Sequence, residues 1–291
     1  MKVGGTMKVS KRKVTAVLLA GLMGLSLALT GCGGGASSGN GSSDGAKYRI
    51  LDETISTEHY GVGFRKTDTA LRDAVEYTMV QMYNDGTVKQ IAEKYADQGI
   101  NYDAYILTST DVKQMPDVNI TTFSVGFDQD FPPYGYVDDS GNFAGFDLDM
   151  AAEVCRRNGW QLNLVPINWD LKDAELASGD IDCIWNGFTM EGREDQYLFT
   201  KPYMDNTQVI VVLANSDIQA LSDLAGKVVM AQSNSSALSA LNDDHPDLVA
   251  TFKELRTTPD YNSAFLELDQ GSIDAIAIDL PVAQYQISAH S

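Results

Sequence analysis

The chain has 291 residues, enough for one large domain or two medium ones. It is 44% apolar and 21% charged, which excludes a disordered or collagen-like chain. Against 40 acidic residues stand 21 basic ones, a formal charge of −19; five of the basic ones (Lys2, Lys8, Lys11, Arg12 and Lys13) precede the first apolar run, and without that segment the balance is 16 against 40, or −24. So acidic a chain is a poor partner for nucleic acid, where affinity comes from neutralising phosphates.

Three cysteines, Cys32, Cys155 and Cys183, are too few for a disulfide framework. His59, His245 and His290 show no metal-ligand spacing, and neither a GxGxxG nor a GxxxxGK(S/T) phosphate loop is present, so no metal and no cofactor is expected.

In chain order, residues 14–29 form a mostly apolar run behind the basic cluster, short for a membrane span and suited to a signal-peptide core. Residues 33–46 carry no large apolar side chain and form a flexible tether, with an r.m.s. reach of about 20 Å. Residues 48–55 and 60–64 are strand-like. Asp68 is placed to cap a helix carrying Leu71, Val75, Met79 and Met82 on one stripe and stopped by Gly86; Thr87 and Gln90 form a capping-box pattern for a second helix. Residues 108–120 are polar and contain proline, as a linker does.

From there strands and helices alternate. Phe123, Val125 and Phe127 mark one face of a strand. Leu148, Ala151, Ala152 and Cys155 follow at helical spacing, with Gly159 at the stop. Strands are expected at 161–166, 181–185, 208–213, 228–232, near 249–255 and at 273–278. Helices are expected at 171–178, near 220–225, and at 236–242, 260–269 and 281–288. The alternation predicts an α/β fold with a mostly parallel sheet. One unit repeats: Leu176-x-x-Gly179-x-Ile181-Asp182-x-Ile184 returns as Leu268-x-x-Gly271-x-Ile273-Asp274-x-Ile276. Either any tight helix-to-strand turn looks like this, or two lobes each contain the same unit, and two lobes enclose a ligand cleft.

The combination of Gly126-Phe127-Asp128-x-x-Phe131-Pro132-Pro133-Tyr134, Gly145-Phe146-Asp147-x-Asp149, Trp169-Asp170, Ile181-Asp182-x-Ile184-Trp185-Asn186-Gly187-Phe188-Thr189, Gly192-Arg193-Glu194, and Ile273-Asp274 followed by Asp279 resembles the family 3 solute-binding proteins, which serve ABC importers of polar amino acids. The resemblance covers essentially all of 47–291. It implies a two-lobed, periplasmic-binding-protein-like type II fold, each lobe a mixed sheet flanked by helices, with a hinge of two crossings. Its lobes would be 57–205 and 47–56 plus 206–291. It implies no enzyme activity, with a cyclohexadienyl dehydratase-like enzyme or a sensory module as the alternatives.

In that reading Arg193 grips the α-carboxylate of a free amino acid, because a guanidinium offers a planar bidentate fork. Asp279 holds the ammonium, Thr189 and the Gly187 backbone assist both ends, and Ser236 reaches from the other lobe. Asn186 belongs to the same motif, Phe131 and Trp169 sandwich the ligand side chain, and Asp128 is within reach of a cationic side chain, although relatives with different ligands also carry an acid there, so it does not settle specificity. Trp185, next to Asn186 along a strand, is expected to face the other way and pack. Cys155 and Cys183 are expected as small apolar core groups, with a bridge left open; Leu162 stands where some relatives carry the partner of a cysteine like Cys155. The partners are the permease subunits of an importer, and a monomer is expected.

The resemblance also implies an unusual order. A segment like 48–107 normally comes last in the family and here comes first, as in a circular permutation. Leu29-Thr30-Gly31-Cys32 resembles a bacterial lipobox, which would lipidate Cys32 after removal of residues 1–31 and hold the protein at the outer face of the cell membrane, as on a Gram-positive surface. Stable anchoring needs two acyl chains, which diacylation supplies. Cys32→Ser is therefore expected to move the protein from the membrane to the soluble fraction; a mutant that sediments with membranes as firmly as the wild type refutes the anchor.

Overall fold

The computed structural model describes residues 46–289; the proposed signal segment, Cys32 and nearly all of the tether lie outside the described residues. The described chain carries two main sheets. In the first lobe, β3 (Gly63–Phe64), β4 (Thr122–Phe127), β8 (Gln161–Pro166), β9 (Cys183–Ile184) and β10 (Leu198–Phe199) lie in the order β10-β3-β9-β4-β8. Strand β4 runs parallel to both of its neighbours, and β3 antiparallel to both of its own. In the second lobe, β1 (Tyr48–Ile50), β11 (Met204–Leu213), β14 (Ala275–Asp279), β12 (Val228–Gln232) and β13 (Glu254–Thr258) follow in that order, with β2 (Ser56–Tyr60) also paired to β11. A three-stranded ribbon of β5 (Asp130–Phe131), β6 (Gly135–Val137) and β7 (Phe143–Ala144) flanks the first lobe.

Helices cover both sheets. The first lobe has α1 (Thr69–Asn84), α2 (Thr87–Lys94), α3 (Phe146–Asn158) and α4 (Lys172–Ser178). The second has α5 (Ser236–Asp243), α6 (Pro246–Val249), α7 (Tyr261–Asp269) and α8 (Leu280–Ala289). The expected stripe of α1, Leu71, Val75, Met79 and Met82, is buried. On α3, Leu148, Ala151 and Cys155 are buried as expected, with Val154 added and Ala152 left exposed; Gly159 ends the helix in the left-handed region at φ 71°.

Several local expectations give way to competing partners. Asp68 stands at the N-cap of α1 but caps nothing with its side chain, which pairs with Arg65 Nε at 2.7 Å. The N-cap of α2 is Gly86; Thr87 gives its backbone N–H and its hydroxyl to Asp85 instead of forming a capping box. The strand expected near 249–255 starts at Glu254, because Pro246 opens a short helix where its missing N–H costs nothing. The expected strands at 181–185 and 48–55 shrink to Cys183–Ile184 and Tyr48–Ile50. Cys155 and Cys183 are buried free thiols.

The sequence repeat has one physical role in both lobes. Gly179 and Gly271 take φ of 88° and 69°, a turn a side chain would strain. Asp182 then accepts from the N–H of Ser124 on β4 at 2.8 Å, and Asp274 from the N–H of Val228 on β12 at 2.7 Å. Each aspartate pins the incoming strand to its parallel neighbour.

The lobes are joined by residues 61–62 and 200–203, a few residues from the expected boundaries. These crossings run side by side, with Tyr203 N–H donating to Tyr60 O at 2.8 Å and Thr200 N–H to Val62 O at 3.1 Å. Residues 105–121 form no regular element besides a bridge from Tyr105 to Met204; Ile106 N–H also donates to Tyr203 O at 2.9 Å, so this stretch lies along the crossing.

Candidate functional site

All nine expected ligand-binding residues line one small pocket between the lobes: Arg193, Asp279, Thr189, Gly187, Asn186, Phe131, Trp169, Ser236 and Asp128. Gln232 and Ser235 complete the wall. Trp185 is fully buried and packs on Tyr203, ring centroids 6.5 Å apart, as expected, although the strand itself ends at Ile184.

The first lobe supplies the loop from Asn186 to Arg193. Its start is fixed by Asp147, a wholly buried residue of α3 whose carboxylate accepts from Gly187 N–H at 2.6 Å and Tyr203 Oη at 2.8 Å. The N–H of Gly187 is thus committed inside the protein, so of its backbone groups only the carbonyl could serve a ligand. Gly187 has φ 57°, and a Cβ there would lie 3.1 Å from the Tyr60 ring, so glycine is required twice over. The loop's end is fixed by Arg193, which donates to Thr189 O at 3.0 Å and to Asn234 O across the cleft at 3.2 Å, with Phe188 5.1 Å beneath. Burial lowers its pKa, while the charges of Glu58 and Asp279 oppose that shift.

The cleft is closed by side chains meeting across it. Trp169 Nε1 donates to Asn234 O at 3.3 Å, and Asn234 Nδ2 donates to Asp170 at 2.7 Å. Asn234, at φ 54°, is thus a hub on which three first-lobe side chains converge. Asp128 does not stand free for a cationic side chain: it accepts from Gln232 Nε2 of the second lobe at 2.7 Å and from Asp130 N–H at 2.9 Å. Burial nonetheless pushes its pKa up to about 6.

The second lobe supplies a buried polar cluster. On the inward face of β2 and β11, Glu58 pairs in register with Asn206, and Gln208 of β11 pairs with Asp279 of β14. The amide nitrogens straddle both acids: Asn206 Nδ2 lies 2.8 Å from Glu58 Oε1 and 2.7 Å from Asp279 Oδ1, and Gln208 Nε2 lies 2.8 and 2.7 Å from the same two oxygens. Tyr60 donates to Asp279 at 2.5 Å. Glu58, Asn206 and Gln208 escaped the sequence reading, because Ser56–Tyr60 and Met204–Gln208 carry polar residues on both faces and only the pairing of β2 with β11 buries one of those faces.

This is the architecture of a two-lobed solute-binding protein closed over a small cleft, and the comparisons agree. Residues 123–277 match the model of bacterial extracellular solute-binding proteins, family 3, and the chain belongs to this family. The chain is 30% identical to a probable histidine-binding protein of Campylobacter jejuni over 180 residues, 61% of this chain and 68% of the relative. The match spans 62% and 59% of two further curated relatives. A Streptococcus pneumoniae ABC uptake transporter substrate-binding protein with bound histidine aligns at 36% identity and TM-score 0.57, covering 58% of this chain and 70% of that one. An ancestral amino acid-binding protein, a precursor of cyclohexadienyl dehydratase, aligns at 30% identity and TM-score 0.54 over 58% of this chain and 75% of its own. The protein is an extracytoplasmic solute-binding protein.

The site predicts an unusual pH dependence of folding. Burial raises the pKa of Asp128 to about 6 and of Asp147 to about 7, and raises that of Asp279, from an unfolded value near 4. Between those values the native state binds more protons than the unfolded chain, so stability falls as pH rises. The urea midpoint of the ligand-free protein is expected to be higher at pH 5 than at pH 8, and Asp147→Asn to flatten the slope.

Proposed function

We propose that this protein captures a free polar α-amino acid between its lobes and presents it to the permease of an ABC importer as a binding protein, without turnover. One observation carries the reading: a guanidinium, Arg193, and a carboxylate, Asp279, of opposite sign line one small closed cavity beside two aromatic walls, Phe131 and Trp169. A zwitterion complements both charges, the carboxylate on the guanidinium and the ammonium on Asp279 with Thr189. Relatives named for histidine binding and for amino acid ABC transport support it. In this reading the protein works as a monomer, lipid-anchored through Cys32 on the extracytoplasmic face, and closure of the lobes is the signal for the permease.

We also propose that the chain order is a circular permutation of the family order. The segment 47–107 precedes the matched core yet contributes β1 and β2 to both halves of β11. Residues 105–121 then lead back to β4, tied to the crossing by Asp111–Lys201 at 2.8 Å. The family match, residues 123–277, leaves the segment 47–107 out.

Calorimetry against the twenty amino acids tests the first proposal. Arg193→Ala and Asp279→Ala should each weaken binding at least about a hundredfold, since stripping one partner from a buried ion pair costs about 3–5 kcal/mol; a change under about fivefold removes that residue from the site. The second proposal is tested by a gene encoding 108–291 followed by 47–107. Equal denaturant midpoints and affinities are expected, and a given order that is ligand-blind beside a tightly binding reordered chain would show the order to be a defect.

A further inference from the structure

Glu58 is 4% exposed and accepts from four neutral donors at one oxygen: Thr189 Oγ1 at 2.7 Å, Asn206 and Gln208 at 2.8 Å, and Ser236 Oγ at 3.2 Å. Its carboxylate borders a second cavity, which shares Thr189, Arg193 and Ser236 with the first. No sequence motif pointed to it, and binding of a zwitterion by Arg193 and Asp279 does not need it.

Counting protons shows what it does. A hydroxyl has one proton, and Thr189 Oγ1 has two neighbours, Glu58 at 2.7 Å and Ser236 at 3.1 Å. The nearer, charged acceptor takes it. Thr189 therefore meets the first cavity with lone pairs only. The amide groups cannot be turned over, because their oxygens would then lie 2.7–2.8 Å from carboxylate oxygens. Their N–H groups are likewise committed within the protein, those of Asn206 to Glu58 and Asp279 and those of Gln208 to Glu58, Asp279 and Ser236 Oγ. What faces a ligand here is an acceptor hydroxyl above two carboxylates that the same two amides hold together.

We infer that Glu58 determines specificity at the amino-acid site: it consumes the hydroxyl proton of Thr189 and sets a second negative charge beside Asp279, so that only a free protonated amino group completes the subsite. The inference rests on the amino-acid reading above.

The groups facing Asp279 are Glu58 and Tyr60 from β2, Asn206 and Gln208 from β11, Arg193 from the loop, and the phenols of Tyr134 and Tyr261. Burial first, then the charge of Glu58, holds the Asp279 pKa above the carboxylate range in the empty site. A bound ammonium favours the ionised form, so affinity rises with pH through the range where empty Asp279 deprotonates, and binding releases the proton to buffer. Without Glu58 that range moves to lower pH.

The amino acid that most stabilises the wild type in a thermal-shift panel is titrated calorimetrically from pH 5.5 to 8.5, and at pH 7 in phosphate and in Tris, whose ionisation heats differ. In the wild type, affinity should rise with pH and the observed heat should depend on the buffer. Glu58→Gln should weaken binding at pH 8 by about tenfold or more, the scale of one charge-assisted contact, and move the rise to lower pH; Thr189→Val should weaken binding and leave the profile in place. Buffer-independent heats with a flat wild-type profile overturn the inference, as does a Glu58→Gln affinity within about twofold of wild type with an unmoved profile. Should Glu58→Gln fail to fold, the two-buffer measurement on the wild type decides. A wild type that binds no amino acid overturns the amino-acid reading itself, whereas one that binds while Glu58 proves indifferent overturns this inference alone.

Discussion

Two carboxylates buried on one face of a sheet, with no cation wedged between them, set the terms for the rest of this molecule. Unpaired buried charge is costly, and here the cost is offset by two side-chain amides that each donate to both acids. That arrangement requires Glu58, Asn206, Gln208 and Asp279 to be cross-strand neighbours. It therefore requires the register of three antiparallel strands, β2, β11 and β14. A slip of one residue in β11 would turn both amides to the opposite face.

The same strand joins site to hinge. Strand β11 begins where the second crossing ends, and β2 ends where the first begins, so the acids sit at the root of the connection between lobes. Across the cleft the first lobe answers with its own buried acid. Asp147 fixes the loop that carries Thr189 and Arg193, and its second donor, Tyr203, lies on the crossing. Lobe closure and ligand recognition thus draw on one continuous polar network. Asn234 shows this from the other side, since Trp169 and Arg193 both donate to its carbonyl.

Much of this was legible in the residues. The alternation of strands and helices, the Gly-x-Ile-Asp units at 179–182 and 271–274 and the apolar stripe of α1 follow from local periodicity and from glycine's access to positive φ, and the structure keeps all of them. The nine residues of the expected site share one cavity because motif resemblance carries information about three-dimensional neighbours that no single window of sequence contains.

What the sequence by itself determined is the kind of elements, their order and the charged residues available to meet a ligand. Only the tertiary structure decided which partners those residues take. Gly187 gives its N–H to Asp147, and Asp128 is latched by Gln232, each because a well-placed partner arrives from elsewhere in the chain. Glu58 stayed hidden for the same reason: in sequence it is one acid among 40, and only pairing of β2 with β11 turns it inward, where burial makes its charge count.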